Sequence, residues 1–321
     1  MSDLSKFGQM ALVIALFAVV MGVILLGAGR VRRRAELTQA LSFVLPALAL
    51  LSVGLIYPAV RTIYQSFFDR TSANFVGFDN YSQVFTDPVM LSVLRNTAIW
   101  VILTPILSTV IGLVYAVLVD RSRIEAVAKA VIFLPMAISL VGASIIWKFV
   151  YEFRPNQQGI EQIGLLNQVL VWLGLEPQQF LINSPLNTLL LIVVMVWVQA
   201  GFAMTVLSAA IKAIPSDITE AGQLDGLTGF KMFRYITVPS IRPALVVVVT
   251  TIAIGTLKVF DIVRTMTGGQ FDTNVVAFDF YRQGFQLLNT GIASSLAVLL
   301  FILVIPIVVY NVRQMRKAEY R

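Results

Sequence analysis

Two groups of residues in this sequence have types and spacings that suggest chemistry. Between Pro215 and Pro239, the carboxylates Glu220 and Asp225 stand among the small residues Ala221 and Gly222. Carboxylates suit a basic partner, and small neighbours let that partner's backbone come close. The second group is Lys258 with Asp261, which interrupt an otherwise apolar stretch. Ionisable groups inside an apolar span mark ion or proton pathways, although long chains near a span's end also reach the interface. The commonest catalytic side chains are missing. The 321 residues contain no Cys and no His, which excludes thiolate metal sites, disulfides, cysteine nucleophiles and the usual general base near neutral pH.

The elements that hold these residues follow from composition. Hydrophobic residues make up 58% of the chain and charged ones 13%, against roughly 25% charged in a soluble domain. Mean hydropathy is +0.84, so this is an integral membrane protein and not a soluble enzyme. Seven stretches reach the roughly 20 mostly apolar residues that a transmembrane helix needs: Met10–Ala28, Ala40–Val60, Thr97–Val119, Val131–Val150, Leu186–Ser208, Ala244–Val263 and Gly291–Val312. The expected fold is therefore an all-α membrane protein of about seven transmembrane helices. The net charge of +7 does not point to nucleic acid, because in so apolar a chain it marks cytoplasmic loops. Arg30, Arg32, Arg33 and Arg34, then Arg121, Arg123 and Lys129, then Lys212, Lys231, Arg234 and Arg242, and finally Arg313, Arg316, Lys317 and Arg321 all fall on one face. That face is expected to be cytoplasmic, with the N-terminus outside and the C-terminus inside. The first span reads as a retained anchor and not a signal peptide, since a dense arginine cluster follows its apolar run.

Local chemistry gives the Pro215–Pro239 segment a shape. Pro215 breaks the preceding span, Ser216 or Asp217 can cap a new helix, and Asp217 with Glu220 has capping-box spacing. Gly226 is placed to end that helix in a left-handed conformation. Thr228 can cap a second helix through Phe233, and Pro239 enters the next span. Read locally, this is a helical hairpin joining two spans. On the outer side, Ile163, Leu166, Leu170 and Leu173 recur at helical spacing beside Trp172, the pattern of an amphipathic helix at the membrane interface.

The spacing Glu220-Ala221-Gly222, then Gly226, then Ile236-Thr-Val-Pro239 resembles the EAA loop of binding-protein-dependent ABC importer permeases, EAA-x3-G-x9-I-x-LP. Gly222 replaces the second Ala and Val238 the Leu. Val76-Gly-Phe-Asp-Asn-Tyr81, Asn96-Thr97, Phe260-Asp261, Thr267-Gly-Gly269, Tyr281, Phe285 and Gly291-Ile-Ala-Ser294 resemble outer segments of maltose-type carbohydrate permeases, nearest their α-glucoside branch. The resemblance covers most of residues 40–312. It implies an extra helix and basic linker over 1–36, a permease core of six helices over 37–315 containing the loop 215–239, and a tail over 316–321. It also implies a second homologous permease subunit, two ATPase subunits that bind ATP and Mg in place of this chain, an extracytoplasmic solute-binding protein, and surrounding lipid. The substrate would be a sugar, such as a maltose- or trehalose-like disaccharide, moved by alternating access. Glu220, Ala221, Gly222, Asp225 and Gly226 would contact the ATPase. In the family's register the sugar path would involve Val198, Gln199, Phe202, Ile252, Gly255, Thr256, Val259 and Phe260. An ion-coupled carrier, suggested by Lys258 and Asp261, and a seven-span receptor are the competing expectations.

Overall fold

The structure is a computed structural model that describes residues 44–120, 122–155 and 162–319, with isolated positions before residue 44. The expected first span Met10–Ala28 and the arginines at 30–34 fall, but for those positions, outside the described residues. The chain divides into two units, Met1–Tyr64 and Gln65–Arg321.

Helix α1 is Val44–Gln65. Its turn Ser52–Ile56 widens to π geometry just before Pro58, whose missing N–H cannot complete an ordinary helical bond. The helices that follow are α2 (Asp79–Thr86), α3 (Pro88–Val119), α4 (Glu125–Phe133), α5 (Leu140–Val150), α6 (Leu165–Trp172), α7 (Leu186–Lys212) and α8 (Ser216–Leu224). Then come α9 (Gly229–Ser240) and α10 (Arg242–Leu257), α11 (Asp261–Met266), α12 (Val276–Tyr281) and α13 (Thr290–Glu319). Among the described residues, four helices are long and apolar enough to cross a membrane, or up to six if each of two bent pairs counts as one span.

Two of the expected spans are interrupted in the structure. The expected span Val131–Val150 is bent by 102° between Glu125–Ala137 and α5. Pro135 stands in the 3-10 turn at the break, and the Ser139 hydroxyl caps α5 by accepting from Gly142 N at 3.1 Å. The second pair, α9 and α10, is bent by 69° at Ile241, ahead of the expected span Ala244–Val263. Pro239 and Pro243 flank that bend, and α10 stops at Leu257, so Lys258 is its C-cap and Asp261 begins α11. Asp261 thus sits where a helix dipole favours an acid, and not inside a continuous span.

Helix α7 carries the core of the second unit. Leu191, Met195 and Val198 pack with Trp100, Tyr151, Val259, Ile262 and Phe278, while Met204 and Leu207 pack with Ala116, Ile241, Val248 and Ile252. Two glycines set how closely the neighbouring helices approach. A Cβ on Gly112 of α3 would lie 2.5 Å from Ala203 Cβ and 2.7 Å from Met204 N. A Cβ on Gly201 of α7 would lie 2.6 Å from the carbonyl oxygen of Ile132 in α4. Small residues at such crossings let helix backbones meet, which is the main source of packing where the surroundings are as apolar as the side chains. Gly201→Val should therefore force α4 off α7 and cost about 1–3 kcal/mol or more. A lowered midpoint in thermal unfolding of the detergent-purified protein is expected, and an unchanged midpoint would show that the crossing is not tight.

Candidate functional site

The 215–239 loop is a helical hairpin, as its sequence indicated, but it is built differently in detail. Pro215 itself takes the N-cap position, with φ −57° and ψ 139°, and no side chain caps α8. Ser216 and Asp217 therefore lie inside the first turn, and the capping role expected of them is not formed. At the other end the expectation holds. Gly226 has φ +80°, its N–H donates to Gln223 O at 2.9 Å, and Leu227 N donates to Gly222 O at 2.9 Å. This pair of bonds is a Schellman closure, which requires a left-handed residue at Gly226. Thr228 occupies the N-cap of α9 without using its side chain, and α9 runs on through a π segment to Ser240 instead of ending at Phe233.

The small residues divide by role. Gly222 is buried, and a Cβ there would meet Met232 Cε at 3.2 Å and Ile236 Cγ1 at 3.3 Å. It therefore serves the hairpin's own packing and leaves no room for a partner. Glu220, Ala221 and Asp225 are exposed. Around them Ile218, Phe230 and Tyr235 are open, and Leu224 is 90% exposed. The result is a fixed surface of apolar side chains with carboxylates among them.

The expected path residues fall into two sets. Val198, Ile252, Thr256 and Val259 are buried in the chain's own core, and the Thr256 hydroxyl donates to Ile252 O at 2.8 Å. Gln199, Phe202, Gly255 and Phe260 are half-buried, and open space surrounds Gly255. Phe260 joins an aromatic group. Its ring centroid lies 5.1 Å from that of Tyr281, which stacks on Phe285 at 5.4 Å, and the Arg264 guanidinium sits 4.8 Å from the Tyr281 ring centre.

The separate outer motifs turn out to touch. Asn96 Nδ2 donates to Asp272 O at 2.6 Å, and Thr97 Oγ1 accepts from Val276 N at 2.9 Å. Asn187 Nδ2 donates to Phe271 O at 2.7 Å, and Arg95 pairs with Asp272 at 2.5 Å. These bonds hold a loop in which Gly268, Gly269, Phe271 and Asp272 all have positive φ. Gly291 is a second junction, where a Cβ would lie 2.3 Å from Phe68 O and 2.8 Å from Asn80 Nδ2.

With this geometry in view, residues 88–317 match the family described as binding-protein-dependent transport system inner membrane component. The chain belongs to that family. It is 48% identical over 277 residues to the osmoprotective compounds uptake permease protein GgtC of Synechocystis, covering 86% of this chain and 99% of that one. It is 44% identical over 274 residues to the alpha-glucoside transport system permease protein AglF of Rhizobium meliloti, covering 84% and 80%. Its fold resembles a chain of a bacterial alginate ABC transporter crystallised with an alginate pentasaccharide-bound periplasmic protein, at TM-score 0.72 and 22% identity over 87% of this chain and 94% of the other. The protein is accordingly a multi-pass permease subunit of an ABC importer and not an enzyme. Family membership sets aside both the ion-coupled carrier and the receptor.

Sequence reasoning missed two parts of this permease. The outer bonds from Asn96 and Asn187 link residues far apart in the chain and left no local signal. An ion cluster of Asp120, Glu125, Lys129 and Lys212 with Ser208 lies beside the hairpin's root. The i,i+4 spacing of Glu125 and Lys129 is the one sequence signal that points to it. Of the hairpin's features, the Gly226 turn gives the sharpest test. Gly226→Val places a branched residue at φ +80°, where an ordinary side chain costs roughly 1–2 kcal/mol. Backbone amides of α8 should then exchange with deuterium faster than in the wild type while those of α7 keep their rates. Equal α8 rates would mean that the closure does not hold the helix.

Proposed function

We propose that this permease is one membrane subunit of an ATP-driven importer for sugars of the α-glucoside type, such as maltose- or trehalose-like disaccharides. Its partners are a second homologous permease, two ATPase subunits that hold ATP and Mg, and an extracytoplasmic binding protein that delivers the sugar. The observation that carries the reading is the rigid, open face of α8, on which Glu220, Ala221, Leu224 and Asp225 are exposed while Gly222 and Gly226 fix the shape. The substrate class rests on the name of the alpha-glucoside relative AglF.

Transport is by alternating access. A partner can drive such a cycle only if its states favour different states of the permease. A closed, well-packed helix passes on a partner's movement where a loose loop would absorb it. The distribution of Lys and Arg supports a cytoplasmic hairpin and C-terminus, with the N-terminus outside. Along the sugar path, Gln199 supplies hydrogen bonds to hydroxyls, and Phe202 and Phe260 supply faces for a pyranose ring. Gly255 leaves the space it passes through, while Val198, Ile252, Thr256 and Val259 shape the wall from behind.

Two sets of variants test this reading in membranes that contain the whole importer. Glu220→Ala should reduce the amount of ATPase that co-purifies with the permease and lower uptake of radiolabelled trehalose. Wild-type retention and uptake would leave the hairpin as a simple connector. Gln199→Ala and Phe202→Ala should keep the ATPase bound but weaken uptake several-fold, since one lost hydrogen bond costs on the order of 1 kcal/mol. Unchanged uptake in both would show that these side chains only pack.

A further inference from the structure

Beside the hairpin's root, four charged side chains from three helices close a ring. Lys129 Nζ of α4 lies 3.0 Å from Asp120 Oδ1 at the end of α3 and 2.7 Å from Glu125 Oε1 in the first turn of α4. It also donates to Ser208 Oγ of α7, and that hydroxyl donates in turn to Asp120 Oδ1 at 3.1 Å. Lys212 Nζ, on the last residue of α7, lies 3.5 Å from Asp120 Oδ1 and also pairs with Glu125 Oε1. Each lysine therefore bridges both carboxylates. The ring holds two acids and two bases, so its charge cancels. It is also sheltered: the side chains of Asp120, Glu125 and Lys129 are 10%, 24% and 24% exposed, and that of Lys212 is 51% exposed.

The ring's position gives it more than a fastening role. Lys212 stands just ahead of Pro215, where α8 begins. Between the ring and the hairpin lies a cavity of about 470 Å³ lined by Asp120, Lys212, Thr219, Gln223, Met232 and Phe233, among others. A void cannot transmit a push. Movement of α8 therefore enters the spans through the chain, at the end of α7 on one side and through α9 and α10 on the other. At the α7 end, beyond the glycine crossings, the ring ties the last turn of α7 to the facing ends of α3 and α4. A sheltered network is screened less by salt and holds its geometry better than isolated surface pairs.

We propose that Asp120, Glu125, Lys129 and Lys212 are positioning residues that make α3, α4 and α7 move as one body when the hairpin moves. The proposal rests on the reading of the hairpin as the ATPase contact, and it concerns what happens after the ATPase has docked. A structural role alone would affect assembly. The proposed role affects the amount of sugar moved for each ATP consumed.

The experiment uses the complete importer in proteoliposomes with its binding protein and radiolabelled trehalose, measuring ATPase retention, ATP hydrolysis and uptake together. Lys212→Met and Asp120→Asn should keep the ATPase bound and hydrolysing. Trehalose moved per ATP should fall at least about fivefold, the lower end of coupling between distant sites. The exchange Glu125→Lys with Lys212→Glu should recover more of that ratio than either single change. A wild-type ratio in both single variants would overturn the proposal. So would loss of the ATPase from Lys212→Met, because the ring would then be holding the hairpin's shape. An exchange no better than its parts would also overturn it. Failure of the hairpin reading looks different: Glu220→Ala would keep its ATPase whatever the ring variants do.

Discussion

Helix α7 sits hard against α3 and α4 because Gly112 and Gly201 carry no side chains at the crossings. In a membrane the hydrophobic effect does little to press helices together, so this close backbone approach takes its place. Much else depends on it. The buried residues of α7 hold Trp100 and Tyr151 on one side and Ile241, Val248 and Ile252 on the other. At one end of the helix Asn187 holds Phe271 in the 267–274 loop, and at the other Ser208 and Lys212 join the ion ring. By helix geometry the 27 residues of α7 span about 40 Å. A single packed rod therefore links the 267–274 loop to the hairpin's root, and Gln199 and Phe202 lie along it, half-buried.

That arrangement explains why the hairpin is built for stiffness. A helix as short as α8 is marginal by itself. Here it is closed at its C-terminal end by the Gly226 turn and pressed onto Met232 and Ile236 through Gly222. The side without these contacts is left open, with Leu224 almost fully exposed. This open side is the surface on which the proposed ATPase contact rests.

Much of this could be read from the sequence, and the limits have physical causes. Hydropathy located the long helices, since a run of apolar residues needs no tertiary information. The hairpin's turn was legible because Gly226 has a conformation that few other residues adopt. The bend at Ser139 was missed because hydropathy averages over Pro135, whose effect is geometric. Gly222 was assigned to a partner's approach because sequence shows that a residue is small without showing what fills the space beside it. The division of the path residues into buried and half-buried sets depends on which way each helix faces, and a nearly uniform apolar span does not record that. The outer motifs near Asn96 and Thr267 could be noticed as patterns, but only folding shows that one holds the other.

The central claim is that the open face of α8 is where an ATPase subunit sits. The most direct test places a photo-crosslinking amino acid at Leu224 in the assembled importer and identifies what it captures on illumination. The account predicts a covalent adduct with the ATPase subunit, formed with the purified complex before any sugar is added. Adducts with lipid or with the binding protein, and none with the ATPase, would contradict it.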